Sequence, residues 1–335
     1  MYSCRWAIWF VHVLTFGVLL LLVIGCSESQ QAVDLYLDGV MLQDLGQDEL
    51  AITKLKAAVS ADPKFGPAYS KLGESYEKAG NLEKAAGAYE KATKLGPWSF
   101  KDYFNLGRVS EKAGRNTQAA GAYARACELD DGSLDAHLGA ARLCYKSGDY
   151  DKALKFCEDA NKIDPNSEEV LRTSAGVFEA LKDYEEAIGF YNRLMRLNPG
   201  KPDVVSSLAA AYVKAGRYTD ARPLLASLIK AQPDNGTAHR YMGYCYLKLK
   251  SFDRAVESYE RAVAIDTKDW DAHRCLGVAY MMKANIKNDG LLRTKAIEQW
   301  RLSLAIKPDQ PHRDTILKMI KEYSKGQNSK FEMEF

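Results

Sequence analysis

The chain carries no GxSxG elbow, no P-loop and no HExxH pair, so acyl transfer, nucleotide chemistry and zinc hydrolysis have no residues to name. Charge of one sign is also missing: 46 basic against 44 acidic residues leave a net +2, without the basic excess that marks nucleic-acid binders. Cysteine is sparse. Beyond Cys4 and Cys26, the set Cys127, Cys144, Cys157, Cys245 and Cys275 is odd in number and lacks CxxC spacing. A bridge between Cys144 and Cys157 is conceivable, but both fall at large-residue core registers, where cysteine acts as a small hydrophobe. His12, His137, His239, His273 and His312 are scattered, and the middle three share one packing register, which favours a structural role over a metal site. Paired carboxylates such as Glu168-Glu169 and Glu185-Glu186 lie near helix starts, where the dipole favours them. No long Ser/Gly/Pro linker interrupts residues 32 to 323, so one elongated domain is expected, non-catalytic and without cofactor, metal or small-molecule substrate.

What the chain has instead is a period. Ala51, Ala85, Ala119, Ala153, Ala187, Ala221 and Ala255 follow one another at steps of 34 residues. Such a step marks a repeat array, whose units cannot bury their apolar faces alone. Gly39, Gly73, Gly107, Gly243 and Gly277 hold a second register, completed by Ala141, Ala175 and Ala209. Only small side chains there means that two helices cross closely. Leu55, Tyr89, Tyr123, Cys157, Tyr191, Leu225 and Tyr259 supply the bulk beside them. Gly46, Gly80, Gly114, Gly148 and Gly216 read as left-handed C-caps, followed by Asn81, Asp149, Asp183 and Ser251 as N-caps at the next register. Pro63, Pro97, Pro165, Pro199 and Pro233 close the units, with Asp131 and Thr267 as exceptions.

Helix, turn, helix, turn at this step resembles the tetratricopeptide repeat family, most fully in Tyr69 to Tyr76 with Ala85, Tyr89, Ala92 and Pro97. The resemblance implies an all-α, right-handed superhelical solenoid of about eight helix-turn-helix units, starting near residues 32, 66, 100, 134, 168, 202, 236 and 270 and running to 308. In the eighth unit the alanine of the series is Ala296, seven residues late, and an insertion near 283–294 with the turn-like Asn288-Asp289-Gly290 is expected as loop growth. Ile316, Met319, Ile320 and Tyr323 have helical spacing and predict a capping helix over 311–323, before a polar tail at 324–335.

The family binds partners along the first helices of its units. Projected onto this chain, that face presents Phe104, Arg108, Arg142, Tyr145 and Arg172, and further on Arg240, Tyr241, Tyr244 and Arg274. Arginine and tyrosine concentrate binding energy at interfaces. Stacking places Arg240 and Arg274 on one wall, where a partner carboxylate is expected to pair with them. The carboxylate clamp of chaperone-binding members is absent, since its lysine and first asparagine are replaced by Ser70 and Glu74, and by Phe104 and Arg108.

Residues 1–25 start with one cation, Arg5, and run apolar from Trp6 to Ile24, a targeting segment or an uncleaved membrane anchor outside the repeats. Val23-Ile24-Gly25-Cys26 resembles a bacterial lipobox, which implies cleavage before Cys26 and lipid on its thiol. Ser27 after it points to the outer membrane, with the array in the periplasm; an uncleaved helix points to the inner membrane. Two functions remain. One is a membrane-tethered scaffold holding a protein or peptide during assembly of a secretion, pilus-type or other envelope complex. The other is an accessory docking subunit of an envelope enzyme acting on cell wall or polysaccharide.

Overall fold

A computed structural model describes residues 29–324; the apolar segment, Cys26 and residues 325–335 lie outside the described residues. Everything regular among the described residues is α-helix. The chain divides into two compact units between Thr173 and Ser174, inside helix α9 (Glu168–Ala180).

The first unit holds α1 (29–44), α2 (Asp48–Ala61), α3 (Gly66–Lys78), α4 (Leu82–Leu95), α5 (Phe100–Lys112), α6 (Asn116–Leu129), α7 (Leu134–Ser147) and α8 (Tyr150–Ile163). In the second lie α10 (Tyr184–Leu197), α11 (Pro202–Lys214), α12 (Tyr218–Ala231), α13 (Gly236–Lys248), α14 (Phe252–Ile265), α15 (Trp270–Lys287), α16 (Gly290–Ile306) and α17 (Arg313–Ser324). Within each unit consecutive helices pack on one another, from α2 to α8 and from α10 to α17, and α5 also touches α7, α11 touches α13, and α13 touches α15. First helices therefore line one face of each unit.

The two small registers explain this packing. All seven alanines of the 34-residue series are fully buried, as is Ala296. The glycines meet the bulky register sixteen residues on: a Cβ on Gly73 would sit 2.9 Å from the Tyr89 ring, and one on Gly243 2.9 Å from that of Tyr259. Real Cβ atoms do not come so close, so these crossings require glycine. Where the chain has Ala141 instead, its partner shrinks to Cys157.

The turns follow the glycine register even where glycine is missing. Gly46, Gly80, Gly114, Gly148 and Gly216 all have φ between 71° and 80°, and Lys182 and Lys250, at the two remaining steps, adopt the same conformation at 62° and 58°. Asn81, Asp149 and Asp183 accept backbone N–H bonds as N-caps, whereas the Ser251 side chain makes no cap bond.

The eighth repeat departs from the loop-growth expectation. The thirteen-residue first helix typical of the array, as in α13, becomes eighteen residues in α15, and the usual fourteen become seventeen in α16. Only Asn288 and Asp289 connect them. Asn288 is left-handed (φ 49°), and Asp289 caps α16 through the N–H groups of Leu291 and Leu292. The insertion thus lengthens two helices, each extra residue gaining a backbone hydrogen bond that a loop would not supply. Trp300 takes the bulky register, fills the space beside Gly277 and donates to the Arg274 carbonyl at 3.2 Å. Beyond it, α17 buries Ile316, Met319 and Tyr323 in the same core.

Candidate functional site

In the first unit, the arginines of the first-helix face are engaged from repeat to repeat. Arg108 donates to both carboxylate oxygens of Glu77, 31 residues earlier, and to Asn105 at 3.1 Å. Arg142 repeats that geometry on Glu111 at 3.1 and 3.0 Å, and adds Glu169 at 3.0 Å. The bond to Glu111 outweighs burial and raises the Arg142 pKa. Arg172 donates to Glu168 within its own helix at 2.9 Å. Arg108 and Arg142 thus tie successive repeats together, whereas the Arg172 pair braces one helix, each partly exposed pair contributing about 0.5–1 kcal/mol. Phe104 stacks on Phe100 and meets Tyr123 edge-on, both at 5.7 Å, while Tyr145 stands 40% exposed beside Tyr150.

In the second unit, Arg240, Tyr241, Tyr244 and Arg274 do come together, in one cleft of about 450 Å³. Its walls also hold Lys214, Tyr218 and Asp271. The expectation of two cations open to a partner carboxylate is corrected by Asp271. That residue accepts from Arg240 at 2.5 Å and from Arg274 at 2.7 and 3.0 Å. Arg240 also lies 3.1 Å from Asp269. Burial opposes both guanidinium charges, but Asp269 and Asp271 for Arg240, and Cys275 and Asp271 for Arg274, leave both pKa values raised. With charge satisfied internally, the cleft offers aromatic surface. Tyr244 meets Tyr218 edge-on at 5.9 Å, Arg240 sits over the Tyr241 ring at 5.5 Å, and burial pushes the Tyr244 hydroxyl up to about 12.

Sequence reasoning missed Asp271, Glu77 and Glu111, although all three occupy face-lining positions. Their signal is the 31-residue step between acid and arginine. Tyr218 was missed because it comes from a second helix.

The rest of the chemistry is structural. His137, His239 and His273 each place Nε2 on the carbonyl oxygen six residues earlier, fixing the inter-repeat turn. The five described cysteines are buried, and Cys144 and Cys157 are not joined by a disulfide. Burial pushes the Cys127 and Cys245 thiols up to about 12 and that of Cys275 to about 11, so none is a thiolate near neutrality. Among the described residues, no group of three His, Cys, Asp or Glu could hold a metal ion, and no helix is long and apolar enough to cross a membrane.

Paired antiparallel helices repeating every 34 residues, with a partner-sized cleft on the first-helix face, define a helical-repeat binding protein. The comparisons give the family: models described as tetratricopeptide repeat match residues 66–97, 111–175 and 207–273, and the chain is a tetratricopeptide repeat protein. It is similar in structure to the C-terminal part of a TPR repeat-containing protein from Cytophaga hutchinsonii (18% identity, 72% of this chain and 99% of that one, TM-score 0.56). It also resembles YrrB, described as a TPR protein with an unusual peptide-binding site (22% identity, 62% and 100% covered, TM-score 0.47). A third similar structure is a tetratricopeptide repeat protein from Parabacteroides merdae (17% identity, 75% and 99% covered, TM-score 0.46). No curated protein matches the chain. Proteins of this family are protein–protein interaction scaffolds, typically non-catalytic, that bind protein or peptide partners.

Proposed function

We propose that this chain is a lipid-anchored scaffold of the bacterial envelope that holds an extended segment of a protein partner in the cleft between α11, α13 and α15. The carrying observation is the cleft itself: Tyr218, Tyr241 and Tyr244 offer ring faces, while Arg240 and Arg274 are held in place by Asp271. Rigid aromatic surface of this kind rewards an apolar or aromatic side chain on the bound segment. The internal carboxylate sets the specificity. A segment carrying its own carboxylate competes with Asp271, so neutral segments are preferred over acidic ones.

Anchoring rests on the lipobox-like Val23-Ile24-Gly25-Cys26 and on Ser27, which favour lipid on Cys26 and the outer membrane. Metabolic fatty-acid labelling of the wild type and of Cys26→Ser tests the anchor, and labelling that persists in the variant rules it out. Capture of proteins from solubilised membranes, compared between wild type and Tyr241→Ala with Tyr244→Ala, tests the cleft. The same proteins retained by both forms would move the binding site elsewhere.

A further inference from the structure

The two ends of the described array carry patches of opposite charge. In α3, α5 and α7, the positions Ala68, Asp102 and Ala136, then Leu72, Leu106 and Ala140, then Ser75, Val109 and Leu143 are all buried. Their counterparts in α1 are Asp34, Asp38 and Met41, and all three are exposed. Aspartates at such positions suit a terminal repeat, whose outer face meets water. They do not explain the apolar side chains beside them: Leu37, Met41, Leu45 and Leu50 are between 56% and 65% exposed. From residue 29 to residue 53 the chain holds Asp34, Asp38, Asp44, Asp48 and Glu49 and no lysine or arginine. The cation that follows this stretch, Lys54, is engaged by Asp38 at 2.9 Å.

The lengthened hairpin of the eighth repeat is the converse. Lys283 and Lys287 from α15 join Lys250 and Arg254 around a cleft of about 500 Å³ whose one acid is Asp253. Asp253 lies 2.7 Å from Lys283 and 3.6 Å from Lys287, leaving a net positive patch. Ile286, in the same cleft, and Leu291, just past the connection, are 69% and 68% exposed. The insertion that breaks the 34-residue period therefore adds cations and two bare apolar side chains at one tip.

We propose that the chain associates with itself head to tail, the acidic first repeat of one copy docking on the basic tip of the eighth repeat of another. Each patch supplies what the other lacks. Carboxylates face ammonium and guanidinium groups, and Leu37, Met41 and Leu45 cover Ile286 and Leu291. The contact is heterologous, so every added copy leaves one acidic and one basic patch open, and assembly grows with concentration. This inference is independent of the tyrosine cleft.

Sedimentation of the full-length chain in mild detergent tests it, with Lys283→Glu plus Lys287→Glu as one variant and Asp34→Lys plus Asp38→Lys as another. Wild type is expected to grow in mass with concentration at low salt and to dissociate at high salt. Each reversal weakens association by about tenfold or more with helical content unchanged. Neither variant alone offers patches of opposite charge, but a mixture of the two restores growth as alternating copies, and all four substitutions in one chain restore it as well. A wild type that stays monomeric, or reversal variants that associate like wild type, overturns the proposal. So does a monomeric wild type whose binding to anionic phospholipid vesicles is lost on reversing Lys283 and Lys287, which assigns the tip to lipid.

Discussion

Arg240 donates to Asp271 across one repeat step, at 2.5 Å, and this pair sets the character of the tyrosine cleft. Asp271 holds Arg274 as well, so one carboxylate fixes two cations. Removing its charge takes the carboxylate from Arg274 and leaves Arg240 with Asp269. Asp271→Asn is therefore expected to lower stability by about 1–3 kcal/mol in urea unfolding. In the same variant, affinity for acidic peptides rises relative to neutral ones, read by fluorescence titration. Unchanged preference between the two peptides would show that Asp271 does not control the cleft.

The glycine crossings separate by position. Gly243→Ala drives a methyl group into the buried Tyr259 ring and is expected to cost about 1–3 kcal/mol by overpacking. Gly189→Ala, in α10 of the same unit, meets nothing within 4 Å and removes the entropic penalty of a helical glycine. It should gain about 0.5–1 kcal/mol. Chemical denaturation of both variants checks the contrast, and equal effects would contradict the assigned crossing.

These registers were legible in the sequence because the cause was local and repeated: small residues at two fixed steps, bulk at a third, and glycine at five of the seven left-handed turns between residues 46 and 250. The pairings were less legible. Register placed Arg240 and Arg274 on one face, but it did not show that Asp271, between them in the groove, would take both. The turn expected at Asn288-Asp289-Gly290 is confined to Asn288 and Asp289, since Gly290 already belongs to α16, and the residues on either side formed helix rather than loop. Ser251 sits at the N-cap register, but its side chain does not turn to the backbone as Asn81, Asp149 and Asp183 do.

Lys182 occupies a left-handed turn that glycine fills at five other steps, at φ 62°. A side chain there costs about 1–2 kcal/mol relative to the right-handed region. Lys182→Gly relieves this strain while adding freedom to the unfolded chain, and a net gain of about 0.5–1 kcal/mol is expected in thermal unfolding. A loss of stability would mean that the lysine makes contacts that outweigh the strain.

Alkaline pH should unfold the protein through its buried thiols and phenols. Cys275 titrates near 11 in the fold against 9.0 ordinarily, and Cys245 near 12, both because burial disfavours the thiolate; Tyr244 moves from 10.0 to about 12 for the same reason. A folded pKa above the unfolded one favours the fold at low pH. That contribution is complete below about pH 8.5 and is lost from pH 9 towards 12 as the unfolded chain ionises first. Urea midpoints measured from pH 7 to 11 should be flat and then fall, and Cys275→Ala should make the fall shallower.

The binding prediction depends on ring faces rather than charge. Tyr241 and Tyr244 lie on consecutive turns of α13 and both line the cleft, Tyr244 braced by Tyr218 and Tyr241 covered on one side by Arg240. A bound apolar side chain loses both surfaces when the tyrosines are truncated, whereas the Arg240–Asp271–Arg274 set remains. Tyr241→Ala with Tyr244→Ala should weaken capture of the native partner by about 2–4 kcal/mol. Binding should persist in 0.5 M salt, a condition about three times physiological ionic strength that screens exposed ion pairs but not apolar contact. If affinity instead collapses in salt and survives loss of both rings, the partner is held by charge, and the tyrosines serve only the packing of α11 against α13.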